Sequence, residues 1–274
     1  SSMEMKIKAW ERIKRSYKNQ RNEKKYILKI KEMSRFLKRK IKGSPEKALI
    51  EKEWWKNEIK YARAIWTIHD RKKAIRILKD LLSQKNMPSN QKSYALFLLS
   101  SIEVEKKNYK KSLSYLLKAD KIKPIKKDLK NKITWSIGWN YFLLNEFEKS
   151  AAYFKKEKDK VDNYYLKLKL SFWESISYEK TGQIKNAEKE WAKLYEQAPF
   201  TYYGVISQLK LNKPFMPIFK NQNASLDKFK NIDPVFYFIQ QTSNTKHAKA
   251  YLKYKTRGIK SIGELKKLIP FFNS

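Results

Sequence analysis

The sequence predicts an all-α fold in which paired helices stack into a repeat array, an α–α solenoid. Three observations carry that prediction. Four small residues, Ala74, Ser112, Ser150 and Ala187, stand 38, 38 and 37 positions apart. Each has another small residue twelve positions before it (Ala62, Ser100, Gly138, Ser175) and a bulky apolar residue four positions after it (Leu78, Leu116, Phe154, Trp191). Twelve positions after each anchor comes a residue that caps or breaks a helix: Asn86, Pro124, Asp162 or Pro199. Small residues let the two helices of a unit approach closely, and large ones fill the groove toward the next unit. Self-similarity at such a period marks a chain that grows by stacking rather than around one centre.

The frame is close to the tetratricopeptide pattern, a helix–turn–helix unit of about 34 residues. It is fullest from Ser171 to Gly204, where Tyr178, Gly182, Trp191, Leu194 and Pro199 take their places around Ser175 and Ala187. The fold class is therefore a tetratricopeptide-like superhelix. Three regions are expected: basic N-terminal helices at 1–43, the repeat array at 44–211 and a C-terminal helical segment at 212–274.

Residues 4–42 read as one or two long helices. Ile7, Trp10, Ile13 and Tyr17 make one apolar stripe, and Ile27, Ile30, Met33, Leu37 and Ile41 make another. Lys18 to Asn22 is the expected break between them. The first repeat follows at 46–68 and 71–85, with Asp70 as N-cap of its second helix. The second runs over 90–106 and 109–122 with Asn108 as N-cap, and the third over 129–144 and 147–160. There, Asn145 with Glu148 three later resembles a capping box. The fourth repeat spans 163–180 and 184–197, and no proline falls between Pro124 and Pro199, as continuous helices require. Tyr202 to Leu211 reads as a helix, Lys213 to Pro217 as a turn and 218–232 as irregular, with short helices near 233–241, 245–256 and 261–269.

Composition narrows the function classes. An apolar fraction of 41% with 14% aromatics can build a core despite the charge. With no Cys there is neither a disulfide framework nor thiolate chemistry, and no apolar run is long enough to span a membrane. Ser1-Ser2-Met3 reads as a cloning remnant, so the lack of a signal-peptide core there carries no information on secretion. The net charge is +36, and residues 1–43 alone hold sixteen Lys/Arg against four acids. Only nine of the 63 basic residues are Arg, whereas dedicated phosphate readers favour its planar fork. The field attracts polyanions without selecting among them. Those first helices read either as a solvated face or as an anion-binding arm.

Catalytic constellations are sparse. His69 and His247 are the only histidines, too few with no Cys for a zinc site, and the six glycines are too scattered for a phosphate-cradling loop. No catalytic residue, metal site or cofactor is expected. His69 beside Asp70 reads as part of a helix cap. Glu174 stands out among the 27 acids, because the same frame position holds Tyr61, Leu99 and Ile137 in the other repeats. It reads as lining an inner groove beside Trp173, as pointing to solvent, or as paired with a nearby Lys. Tyr202 and Tyr203 are adjacent on a helix and so point about 100° apart, which leaves at least one ring for another surface. Trp173, Glu174, Tyr202 and Tyr203 are the candidate binding residues.

Residues 131–211 resemble the end of the superhelical domain of soluble lytic transglycosylases, bacterial enzymes that cleave peptidoglycan glycan strands. The resemblance rests on Trp135-Ser136-Ile137-Gly138-Trp139 followed by Phe147 to Phe154, then on Phe172-Trp173, Thr181-Gly182 and Ala187, and finally on Tyr202-Tyr203-Gly204. It implies a ring-like platform in the cell envelope or periplasm that holds glycan strands, whose stem-peptide carboxylates suit a basic surface. The family's lysozyme-like catalytic domain, with its Glu-Ser pair and Gly-Leu-Met-Gln stretch, has no counterpart among these 274 residues. The resemblance therefore implies either the scaffold part of a lytic transglycosylase whose catalytic domain lies outside this sequence, or a stand-alone non-catalytic scaffold. Two other readings stay open. One is a cytoplasmic adaptor gripping an acidic protein partner with Lys and Asn from the first helix of each repeat. The other is nucleic-acid binding through the basic N-terminal helices.

Overall fold

The computed structural model describes residues 2–213, and among them the backbone forms eleven α-helices and no strand. They are α1 (Met3–Asn19), α2 (Glu23–Ile41), α3 (Lys47–Thr67), α4 (Arg71–Leu82), α5 (Ser89–Glu105), α6 (Tyr109–Lys121), α7 (Lys127–Leu143), α8 (Phe147–Lys158), α9 (Tyr164–Lys180), α10 (Ile184–Gln197) and α11 (Tyr202–Lys210). The expected turn at 213–217, the irregular 218–232 and the three short C-terminal helices lie outside the described residues, except for Lys213. The chain divides into two compact units, Ser1–Glu190 and Trp191–Ser274, with the division inside α10.

In the first unit each helix from α1 to α9 packs on the next, and α3 also touches α5 as α7 touches α9. That is a stack of antiparallel pairs, and its core is correspondingly a series of local clusters. One joins Met3, Ile7, Met33, Leu37 and Ile50 from α1, α2 and α3. The next centres on Ile59, Ala62, Ala74, Leu78 and Leu99 from α3, α4 and α5. A third gathers Leu96, Leu116, Ile133 and Ile137 from α5, α6 and α7. Every small anchor of the frame is buried, as are Leu78, Leu116, Phe154 and Trp191.

The close approach is visible at Gly138, where an added Cβ would stand 2.2 Å from the buried Phe154 ring. Beside it the Ser150 hydroxyl donates to the Gly138 carbonyl at 3.1 Å, which satisfies a buried polar group at the tightest point of the pair.

The turns inside the pairs repeat as strictly as the anchors. His69, Lys107, Asn145 and Gly182 each lie five positions before an anchor, and all four have positive φ, between 58° and 72°. Only Gly182 adopts that left-handed backbone without a Cβ penalty. Asn145 is therefore a turn residue and forms no capping box: the N-cap of α8 is Glu146, which makes no side-chain capping bond. The Asn108 side chain likewise makes no capping bond, whereas Asp70 accepts from the Lys73 amide at 3.0 Å as expected.

One expected stripe residue falls outside the core. Ile13 is 43% exposed, and its place on the inward face of α1 is filled by Lys14, which is only 2% exposed. The Lys14 ammonium donates to Asn57 Oδ1 at 2.7 Å and to Glu11 Oε1 at 2.8 Å. Asn57 in turn donates to the Ile30 carbonyl and to Ser34 Oγ, both at 2.8 Å. This polar knot ties α1, α2 and α3 together, and burial holds the Lys14 pKa below the usual lysine range despite Glu11.

Candidate binding groove

The first helices of the third and fourth repeats, α7 and α9, enclose a groove of about 360 Å³. Helical spacing explains its lining. On α7, Asp128, Lys132 and Trp135 recur at intervals of four and three, with Asn131 beside them. Asn163, the N-cap of α9, and Leu166 and Lys169 within it follow at intervals of three. Lys132 and Lys169 occupy the same frame position, eighteen before Ser150 and Ala187.

Past Trp135 the α7 stripe becomes an aromatic column. Trp135 and Trp139 stack with centroids 5.6 Å apart and planes at 15°, and Trp139 stacks on Phe142 at 5.4 Å and 7°. Trp173 meets this column edge-on, 4.5 Å from Trp139 and 5.1 Å from Phe142. Edge-to-face contacts of that kind suit the ring quadrupoles. The groove region thus has a polar end with two lysines and an adjoining aromatic wall.

Lys169 is its electrostatic centre. The ammonium lies 3.4 Å from the centroid of the Trp135 ring, a cation–π contact. The side chain is half-buried, and burial lowers its pKa from the usual lysine range. No carboxylate lies within ion-pair distance of Lys132 or Lys169 among the described residues. A cation that has lost part of its hydration without gaining an anion is a ready receptor for one.

Of the four residues singled out from sequence, two belong to the first unit and two to the second. Trp173 and Glu174 are neighbours on α9 but face apart. Trp173 is half-buried against the α7 column, whereas Glu174 is 1% exposed and lies on the α8 side, where its Oε2 pairs with Lys158 Nζ at 2.8 Å. The same ammonium reaches Glu190 Oε2 on α10 at 2.7 Å. Burial raises the Glu174 pKa, and Lys158 offsets this only in part. Burial lowers that of Lys158, but the two carboxylates more than reverse it, so its pKa is raised. Of the readings open for Glu174, the pairing with a lysine is the one observed.

Tyr202 and Tyr203 belong to the second unit, at the start of α11, with ring centroids 5.5 Å apart. Tyr202 is 69% exposed, Tyr203 is half-buried, and burial raises the Tyr203 pKa. Thr201 caps the helix by accepting from the Gly204 amide at 3.2 Å. Gly204 is needed for packing, since a Cβ there would stand 2.0 Å from the Ala198 carbonyl oxygen. Sequence reasoning did not single out Asn131, Lys132, Asn163, Leu166 or Lys169, although the shared frame position of the two lysines was there to be found.

No family model matches the chain, and no curated protein is similar to it. Solved structures are. A Podosopora anserina protein of nearly identical TPR-like kinesin light chain repeats aligns with a TM-score of 0.53 at 10% identity, covering 72% of this chain and 97% of that one. A point variant of that protein gives the same score and identity over 77% and 99% of the two chains. BtubC (BKLC) from P. vanneervenii aligns with a TM-score of 0.52 at 10% identity, over 87% and 94%. The chain therefore has the TPR-like helical-repeat fold. At this identity the likeness extends to the fold alone.

Proposed function

We propose that the protein is a non-catalytic adaptor that grips an acidic segment of a partner protein in the groove between α7 and α9. The observation that carries this reading is Lys169, partly desolvated on Trp135 with no carboxylate of its own. Lys132 adds a second cation, so two ammonium groups face the one exposed carboxylate of the lining, Asp128. Asn131 and Asn163 add amides that can bond a peptide backbone, and Leu166 and Trp135 add apolar surface. A segment alternating carboxylates with apolar side chains complements that lining, with specificity set by the few polar groups.

A second reading, a scaffold that holds peptidoglycan glycan strands, is supported by the flat Trp135–Trp139 stack and by the resemblance of residues 131–211 to lytic transglycosylases. It sets the protein in the cell envelope, and the adaptor reading sets it in the cytoplasm. Co-sedimentation with isolated sacculi at low and high salt, beside titration with a synthetic Glu/Leu peptide, separates the two. The adaptor reading expects peptide binding that weakens about tenfold in a Lys132→Ala/Lys169→Ala variant, and release from sacculi at high salt. Sacculus retention at high salt, with the peptide indifferent to both lysines, contradicts it.

A further inference from the structure

A separate recess of about 220 Å³ lies between α2 and α3. Its rim carries Lys31, Arg35 and Lys38, spaced four and three residues apart and hence about 6 and 4.5 Å apart along the α2 axis. All three are exposed, and none has an ion-pair partner among the described residues. By contrast, Lys29 on the same helix is neutralised by Glu32 at 2.7 Å. Inside the recess are the Glu58 carboxyl and the half-buried rings of Trp54 and Tyr61. Burial raises the Glu58 pKa, against the opposing influence of Ser34 and Lys38. Ser34 is fixed from behind by Asn57, itself locked to the buried Lys14.

The carboxyl decides the chemistry. A purely anionic segment, such as an acidic or phosphorylated peptide, would suit the rim and be repelled by Glu58. A nucleotide strand suits every group present. Its phosphates meet the three cations, a base lies against the aromatic walls, and an exocyclic amino group donates to Glu58 as cytosine N4 donates to acidic side chains elsewhere. The +12 net charge of residues 1–43 supplies the long-range attraction. We propose that the recess between α2 and α3 binds single-stranded nucleic acid, with one base beside Glu58, Trp54 and Tyr61 and the flanking phosphates on Lys31, Arg35 and Lys38.

Fluorescence anisotropy on the full chain tests this with three probes: an oligo-dC strand of about a dozen nucleotides, an abasic strand of equal length, and a phosphoserine peptide of equal charge. The dC strand should bind several-fold tighter than the abasic one, and Glu58→Ala should erase that difference. Lys31→Ala/Arg35→Ala should weaken dC binding about tenfold and lower its salt slope by about two. Lys110→Ala/Lys118→Ala on α6 makes the same charge change at exposed sites and should leave binding within about twofold. Circular dichroism checks that the variants remain helical. Equal binding of the abasic strand, or equal losses in the two double variants, overturns the proposal. So does a phosphopeptide that binds as tightly and is equally sensitive to Lys31 and Arg35.

Discussion

Lys107 and Gly138 mark the two backbone demands of a repeat pair, its turn and its close contact. Lys107 holds φ at 59° in the turn between α5 and α6, a conformation that a side chain disfavours by about 1–2 kcal/mol. Lys107→Gly should therefore stabilise the protein, by about 0.5–1 kcal/mol once the greater freedom of glycine in the unfolded chain is counted. A loss of stability in thermal or urea unfolding would show that the turn is held by side-chain contacts instead. Gly138→Ala should do the opposite. Its Cβ would collide with a ring that is fully buried, and overpacking of this kind costs about 1–3 kcal/mol. The small residue at 138 was legible in the sequence because the frame repeats it. The left-handed turn was not, because His, Lys and Asn at equivalent positions hide a geometry that only Gly182 advertises.

At the scale of the element, the ion cluster binding α8, α9 and α10 has two carboxylates on one ammonium. Removing Lys158 leaves Glu174 and Glu190 buried together, whereas removing the Glu174 charge leaves Lys158 matched one-to-one by Glu190. Lys158→Met should thus cost about 3 kcal/mol or more near neutral pH, and Glu174→Gln should be nearly neutral or stabilising. The pH dependence follows from the direction of the Glu174 shift. Its folded pKa is raised, so the cost of keeping it ionised is present above the folded value and vanishes below the unfolded one. The Lys158→Met penalty should therefore shrink as pH falls through the raised pKa of Glu174, starting above the ordinary glutamate range. Urea unfolding at neutral and acid pH measures it, and a penalty that grows in acid would contradict this account. Helix spans were legible from the sequence, since apolar period and breakers fix them. The partner of Glu174 was not, because it lies sixteen positions earlier on another helix and the repeat frame says nothing about which charges meet across a pair. Lys14 was hidden for the same reason: with Asn57 as its partner it takes an inward position that periodicity assigns to Ile13.

At the scale of the whole molecule, a net charge of +36 makes every anion a weak ligand, so binding alone says little about the groove. What separates a built site from a general field is whether affinity follows particular residues in register with particular ligand charges. The fold was legible in the sequence because repetition amplifies a weak pattern four times over. The groove was harder to read: the position of Lys132 and Lys169 holds Lys56 in the first repeat and Tyr94 in the second, so the frame repeats the lysine without marking which pair of helices gathers it beside an aromatic wall. The most direct measurement is a charge swap read by calorimetry. A Glu/Leu peptide is titrated into the wild-type chain and into Lys132→Glu/Lys169→Glu, and the matching Lys/Leu peptide is then titrated into both. The adaptor account predicts that the variant loses the acidic peptide by about tenfold or more and gains the basic one, while the wild type shows the reverse preference. If the variant binds the acidic peptide as the wild type does, the groove between α7 and α9 is not the binding site.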